Sequence, residues 1–411
     1  MSLGLFQGFG VELEWMIVDA ETLAPRPLAE ALLREGDQIE DEREHGAAAW
    51  SNELAAHVIE VKTNGPAPRL EGVAALFEAQ ARAMNARLAP HGARLLGGAL
   101  HPFFDPATAT LWPHGQRAIY EAYDRIFGCR GHGWTNLQSQ HLNLPFADDA
   151  ELARLHAALR LMVPLVPGLA AASPFVDGRR SAHLDTRLEV YRHNQARVPK
   201  IAGRVVPEPV ASRAAYEATI LAPMYAAIAP LDPAGLLQEE WLNSRGVIAR
   251  FDRMALELRV LDAQETPRAD LAIAAAIVAV VRDLVEGRLG APYPEAGSTE
   301  RLAATLERAI RDGERAMIDD AALLRSFGLR RERATLGQLW RHLVDRCPPS
   351  GEHEAALGAL LEAGPLARRM VAWVEARGAE AGGRAPIRAA LRELAAEMAA
   401  CLEEGRLLEA P

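Results

Sequence analysis

A chain of 411 residues, 49% of them hydrophobic, can bury a large core and form two or three domain-sized units, or fewer if one sheet is large. A net charge of -10 without a clustered Lys/Arg tract argues against nucleic acid or an anionic membrane as the main partner. Three widely spaced cysteines, Cys129, Cys347 and Cys401, with no CxxC pair, support neither a disulfide framework nor a zinc knuckle. Cys129, beside Arg130 and His132, is a reactive thiol or, more simply, an ordinary loop cysteine.

No basic start followed by an apolar stretch precedes the first predicted strand, Phe9–Val18, so no secretory signal is evident and a cytoplasmic location is expected. That strand carries GVELEW. Phe9, Val11, Leu13 and Trp15 point to one face, and Gly10, Glu12, Glu14 and Met16 to the other. The two carboxylates are then about 6 to 7 Å apart, close enough to repel in a low dielectric unless a cation lies between them. Taken alone, this pair is more simply explained by an antiparallel strand with one wet face. The next strand, His57–Thr63, lies within NELAAHVIEVKTNGP; Glu53 leads Glu60 by seven residues, Glu60 sits between Ile59 and Val61, and Lys62 shares its face. A helix over Leu70–Leu88 and a strand over Arg94–Leu100 follow. In the strand Asn136–Leu144, Ser139, His141 and Asn143 share one face and Leu142 and Leu144 the other, although a lone histidine there is more often structural than a ligand. Asp148 with Glu151 three residues on predicts a capped helix start. The strand Arg253–Leu261 puts Glu257 and Arg259 opposite Leu256, Leu258 and Val260, a pattern that a surface ion pair also produces.

Beyond Pro267 the pattern turns helical. The apolar run Leu271–Val281 is 11 residues, too short to span a bilayer, and predicts a buried helix. Arg301–Ile310, Glu354–Glu362 and Pro386–Glu404 read as amphipathic packing helices, with turns at Pro348-Pro349 and at Gly382-Gly383. Because the strands do not alternate strictly with helices, the fold class is α+β with a largely antiparallel sheet. Residues 1–290 form its sheet-plus-helix unit, and 291–411 a helical region packed on it or on a partner subunit.

Several strands thus share one design, apolar on one face and carrying Glu, His, Asn or Arg on the other. A face collecting Glu12, Glu14, Glu53, Glu60, His141 and Glu257 has excess negative charge, and carboxylates with one imidazole suit Mg²⁺ or Mn²⁺ better than structural zinc. Such ions bridge phosphates. No GxxxxGK[ST] loop occurs, and GFG near residue 8 and GG at 97 are too weak to count, so metals and arginines would hold a nucleotide. Arg187, Arg192 and Arg253 are candidates for that work, each equally an ordinary surface arginine, and Gln138 and Asn143 are candidates to position substrate.

In order and spacing, GVELEW, NELAAHVIEV, GGALHPF, QSQHLNLPF, SPFVDG followed by RLEVYRHNQ, and EWLNSRGVIARFDRMALELRVLD make the chain from about residue 8 to about 280 resemble the glutamate-cysteine ligase family, including its bacterial carboxylate-amine ligase branch. The resemblance implies a curved, largely antiparallel sheet of the glutamine synthetase and guanidino kinase type, whose concave face binds ATP and two or three Mg²⁺ ions. It implies an enzyme of glutathione biosynthesis, or one like it, in which ATP phosphorylates the side-chain carboxylate of glutamate and an amine such as cysteine attacks the acyl phosphate. Glu12, Glu14, Glu53, Glu60, His141 and Glu257 match the family's metal positions, Glu53 only through its lead over Glu60. Arg259 matches the arginine that contacts glutamate near the transferring phosphate. Two alternatives are a guanidino-type phosphotransferase on the same sheet and a catalytically degenerate nucleotide-binding protein; the full acidic set argues against the second.

Overall fold

The structure is a computed structural model that describes residues 3–293, 298–349, 351–379 and 383–409; Gly382 of the expected Gly-Gly turn lies outside them. Its principal sheet has eight strands: β1 (Gly10–Asp19), β2 (Glu42–His45), β3 (Ala48–Asn52), β4 (Val58–Thr63), β5 (Ala93–Leu96), β6 (Ser139–Pro145), β7 (Val247–Arg250) and β8 (Ala255–Asp262). Spatially the order is β7-β8-β6-β1-β4-β3-β2, with β5 pairing the far half of β1, and every pairing is antiparallel. Alternation sends Val11, Leu13, Trp15, Ile59, Val61, Leu142, Leu144, Leu256 and Leu258 into one apolar core. Each such side chain contributes about 1.5–3 kcal/mol relative to exposure.

That face is covered by α1 (Val73–Leu88), α3 (Asp149–Met162) and α5 (Pro267–Val285), which bring Phe77, Met84, Leu155, Leu159, Ile273 and Ile277 into the same core. Two further helices of this half, α2 (Arg117–Phe127) and α4 (Ala222–Ile228), place Ala122, Tyr123, Ile126, Met224 and Ile228 in it. The start of α3 is capped as expected, Asp148 accepting from the Glu151 N–H, but Glu151 turns outward to the N–H groups of Ala147 and Leu5 and does not close a capping box. The expected strand at 94–100 stops at Leu96, because Gly97 and Gly98 follow and Gly98 takes a φ of +96°. The expected strand at 136–144 starts only at Ser139, since Asn136 spends its amide group on the backbone of His101. The hairpin β2–β3, with Gly46 in the left-handed region at its turn, and helix α2 were not among the expected elements, although Ile119, Tyr123 and Ile126 recur at helical spacing in α2.

The helical region packs on the sheet unit in two places. Helices α6 (Thr299–Asp312), α7 (Leu336–Arg346) and α8 (Gly351–Ala363) extend the main core through Leu302, Leu336, Trp340 and Leu357. Helices α9 (Leu366–Glu375) and α10 (Arg384–Glu404) form a second apolar cluster with Met16, Val18 and Leu96, on the face of β1 that also carries Glu12 and Glu14. A buried ion pair, Arg369 Nη1 to Glu265 Oε1 at 2.5 Å, ties α9 to the chain just beyond β8. Among the described residues no helix is long and apolar enough to cross a membrane.

Candidate functional site

Strand register assembles the site. Across β1, Glu12 faces His141 on β6 and Lys62 on β4, while Glu14 faces Glu60. Glu257 on β8 faces Asn143, and Ser51 on β3 faces Glu60. Four strands therefore deliver six ionisable groups to one patch, Glu12, Glu14, Glu60, Lys62, His141 and Glu257, on the face not covered by α1, α3 and α5. The glycine of GVELEW has a steric cause: Gly10 lies opposite Asn143, and a Cβ there would stand 2.9 Å from the Asn143 Cβ.

His141 is the hub. Its Nδ1 lies 3.0 Å from Glu12 Oε2 and 3.7 Å from Glu257 Oε1, and its Nε2 lies 3.0 Å from Ser139 Oγ and 3.9 Å from Glu14 Oε1. Two sets of possible ligand atoms result, Glu12–His141–Glu257 and Glu14–Glu60–His141, each with its atoms within 4.8 Å of one another. Glu14 also accepts from the Ser139 N–H at 2.7 Å, and Glu60 from the Ser51 hydroxyl at 2.7 Å, so the carboxylates are held in place from outside the patch. Asn143 donates to Glu12 while its own Oδ1 is buried without a partner, an acceptor that fits a bound cation or donor.

The charge balance is strained. Burial raises the Glu12 carboxyl, but the hydrogen bond and charge of His141, with Lys62 and Arg253, outweigh it and hold it at about 2. Burial and the Glu12 charge push Glu60 up to about 7 against Lys62 and Ser51. Glu53, one residue beyond β3, is pushed well above the carboxylate range by burial and then by Glu14, Glu60 and Glu12. Burial opposes charge on His141, yet Glu12, Glu257 and Glu14 raise its pKa. Without added cations, the patch thus retains protons at pH values where isolated carboxylates have lost them.

Arg259 reaches the patch from β8. Its Nε stands 2.9 Å from Glu257 Oε1 without hydrogen-bond geometry, and its Nη1 donates to the Asn243 carbonyl at 3.1 Å. Arg253 approaches Glu12 at 3.7 Å from a half-exposed position. Arg187 is buried behind β8, bound to Asp262 at 2.5 Å, and donates to the Arg259 carbonyl. Arg192 is engaged by Glu189 and Glu307. Gln138 is not in the patch; it lines a small cavity with Leu96, Met370 and Met398 beneath the C-terminal helices. Cys129 is buried, and burial pushes its thiol pKa up, which leaves an inert core cysteine. Three contributors escaped the sequence reading. Arg250 lies 3.3 Å from Glu257, Ser51 gains its place only through a cross-strand partner, and Tyr120 accepts from Asn52 beside Glu53.

The model of glutamate-cysteine ligase family 2 matches residues 8–363, beyond the stretch covered by the motifs. An uncharacterized protein of Archaeoglobus fulgidus is 35% identical over 340 residues, spanning 80% of this chain and 91% of that one. A putative glutamate-cysteine ligase of Rubrobacter xylanophilus is 32% identical over 183 residues, 44% of this chain and 47% of its own length. Among solved structures, a glutamate-cysteine ligase from Francisella tularensis in complex with AMP has a TM-score of 0.56 at 12% identity, over 98% of this chain and 95% of that one. A bifunctional glutathione synthetase from Pasteurella multocida has a TM-score of 0.54 at 15% identity, over 96% of this chain and 53% of that one. This chain therefore matches only about half the length of the Rubrobacter and Pasteurella proteins. With the two solved structures it shares a mixed fold of helices and antiparallel sheet.

Proposed function

Because the chain belongs to glutamate-cysteine ligase family 2, whose members' name supports a ligase joining a carboxylate to an amine, we propose that it is an ATP- and Mg²⁺-dependent (or Mn²⁺-dependent) carboxylate-amine ligase acting on glutamate or a similar acid. The observation that carries this is the convergence of Glu12, Glu14, Glu60, Glu257 and His141 on one sheet face in two overlapping ligand sets. We read the sheet as the glutamine synthetase and guanidino kinase type, residues 1–290 as the catalytic unit, 291–411 as the region packed on it, and the enzyme as cytoplasmic.

The donor set fits hard divalent ions: oxygen-rich, with one imidazole, no thiolate, and a free buried amide oxygen at Asn143. Glu12, His141 and Glu257 would hold one ion and Glu14 and Glu60 another, with Glu53 beside them. Bound MgATP supplies a phosphoryl group that converts the acid to an acyl phosphate, from which an amine displaces phosphate to leave an amide, ADP and a released proton. The chain's own residues bind and orient. Arg253 and Arg250, flanking Glu12 and Glu257, offer forked donors to phosphate oxygens. Arg259, fixed by Asn243 and Glu257, offers its remaining donors to the acid or to charge developing on the phosphoryl group. Arg187 holds the Arg259 backbone from behind, a positioning role. No protein nucleophile is needed, because phosphoryl transfer asks for alignment and charge neutralisation.

Incubating the protein with ATP, Mg²⁺, glutamate and a panel of amines, then measuring ADP, phosphate and new amides by mass spectrometry, tests the proposal. Amide with stoichiometric ADP is expected. A phosphorylated amine without amide would identify a phosphotransferase instead, and absence of ADP under every condition would refute a ligase.

A further inference from the structure

A cavity of about 420 Å³ lies on the side of the sheet away from the acidic patch, between the start of β1, the segment 68–71 that leads into α1, and the second half of α5. Its floor is apolar. Phe9, Leu70, Ala275 and Val278 supply that floor, and all four belong to the main core. Phe9 exchanges both backbone hydrogen bonds with Ala67, each at 2.8 Å, so the 68–71 wall is fixed to the start of the strand that carries Glu12.

The rim is cationic. Arg69 stands on the 68–71 segment, Arg282 on α5 and Arg346 at the end of α7, and all three are exposed. Nearby Arg288 is claimed by Asp283 and Glu286, whereas among the described residues none of these three makes an ion pair. Of the two carboxylates that line the cavity, Asp283 is thus already engaged, and Glu71 balances only one of the three guanidinium groups. Two positive charges remain unmatched. One ring is aimed at them: Phe6 takes a φ of +60°, a conformation that a side chain of its size adopts only under constraint. The constraint is a turn closed between Gly4 and Gln7 and tied down by the Leu5 N–H on Glu151. It leaves the Phe6 ring half-buried at the cavity, with the Arg282 guanidinium 5.0 Å from its centroid.

We propose that this cavity binds a phosphomonoester carried on a flat apolar body, the body lying against Phe6 and the apolar floor and the phosphate among Arg69, Arg282 and Arg346. Charge and contact both select that class. Above pH of about 6 a phosphomonoester approaches two negative charges, the number the rim leaves unmatched, and its oxygens accept from guanidinium forks. A carboxylate on the same body would leave one charge unanswered, and phosphate alone would leave the floor uncovered. The site is independent of the ligase reading, because no residue of either ligand set lines it.

The test is titration calorimetry on the full chain at pH 8 in EDTA, so that no metal at the acidic patch can hold phosphate, with phenyl phosphate, phenylacetate and inorganic phosphate as probes. Phenyl phosphate should bind about tenfold or more tighter than either of the others. Arg69→Ala and Arg346→Ala should each weaken it about tenfold or more, with thermal melts to verify folding, and if one fails to fold the other decides. Phe6→Ala should weaken phenyl phosphate and leave inorganic phosphate unchanged, and Arg253→Ala, at the acidic patch, should leave phenyl phosphate binding as it is. Absence of phenyl phosphate binding overturns the assignment outright. Equal affinity for inorganic phosphate, or for phenylacetate, overturns the ligand class. Wild-type affinity in the folded Arg69 and Arg346 variants, or binding lost in Arg253→Ala alone, overturns the location and puts the probe on the other face of the sheet.

Discussion

Removing one carboxylate from the patch should stabilise the metal-free protein and weaken its response to metal. In Glu60→Gln the side-chain oxygen still accepts from Ser51, so the change is chiefly one of charge. Glu60 is 7% exposed and is raised from 4.5 to about 7, chiefly by burial and then by Glu12. A carboxyl whose folded pKa lies above its unfolded one costs nothing below the unfolded value, and costs progressively more until the pH passes the folded value. The full cost, at pH 8, is about 3 kcal/mol, already net of the Lys62 attraction, and burial of the amide that replaces the carboxylate offsets part. The variant in EDTA should therefore be more stable than wild type by about 1–3 kcal/mol at pH 8 and no more stable at pH 4.5. With an unfolding entropy of about 2 cal/mol/K per residue, that gain is about 1–4 °C in Tm. Wild type at 100 times its Kd for Mn²⁺ should gain about 2.7 kcal/mol, and Glu60→Gln should lose most of that gain. Thermal melts from pH 4.5 to 8.5, with EDTA or Mn²⁺, measure both effects. If Glu60→Gln were no more stable than wild type at pH 8, or had an undiminished Mn²⁺ shift, the charge-strained metal patch would be wrong and a wet sheet face would explain the acids.

Three further outcomes are expected. Arg259→Lys keeps a charge but loses the planar fork, so turnover should fall about 10²-fold with an ordinary melt, and normal turnover in the folded variant would make Arg259 merely an ion-pair partner of Glu257. Glu12→Gln removes the charge that His141, Asn143 and Arg253 surround, and should raise the Mg²⁺ concentration for half-maximal ADP formation by at least the 10- to 100-fold, roughly, that loss of an outer-shell partner costs; a wild-type Mg²⁺ response would exclude Glu12 as a ligand. His101 is held neutral at about 4 by burial, so its depressed pKa gives stability above about 6.5 that is lost as pH falls toward 4; denaturation of wild type and His101→Gln should show their stability difference shrinking by up to about 3 kcal/mol over that window, and a constant difference would refute it.

The part of the site that the sequence revealed is the part governed by period-two alternation. Glu12 and Glu14 share a face with each other, and Glu257 with Arg259, whatever the strands pair with. Register could not be read from alternation, and it is register that brings Ser51 opposite Glu60, 9 residues on, and Glu12 opposite His141, 129 residues away. Arginine roles were the least legible, because a guanidinium on a long stem is claimed by whichever carboxylate folding brings near: Glu189 and Glu307 for Arg192, Asp262 for Arg187, and Glu257 for the unanticipated Arg250. Gln138 lies away from the patch for a geometric reason. It precedes β6 by one residue, where strand alternation no longer sets its direction, and its side chain lines the cavity under α10.

The boundary of the patch is set by a single strand that changes partners along one face. Glu12, Glu14, Met16 and Val18 of β1 all point the same way, yet the first two meet His141 and Glu60, and the last two meet the C-terminal helices. The switch coincides with β5 pairing, which sets Leu96 opposite Met16 and Arg94 opposite Val18 on that face; Leu96 joins the apolar cluster and Arg94 lies 3.7 Å from Glu403 on α10. An acidic sheet face could otherwise continue as an open, water-filled slope, where cations and phosphate would be weakly held. With α9 and α10 seated on Met16 and Val18, Glu14 instead abuts a dry apolar wall that lowers the local dielectric around the second ligand set. The C-terminal helical region therefore takes part in the electrostatics of the site although no side chain of it enters either ligand set.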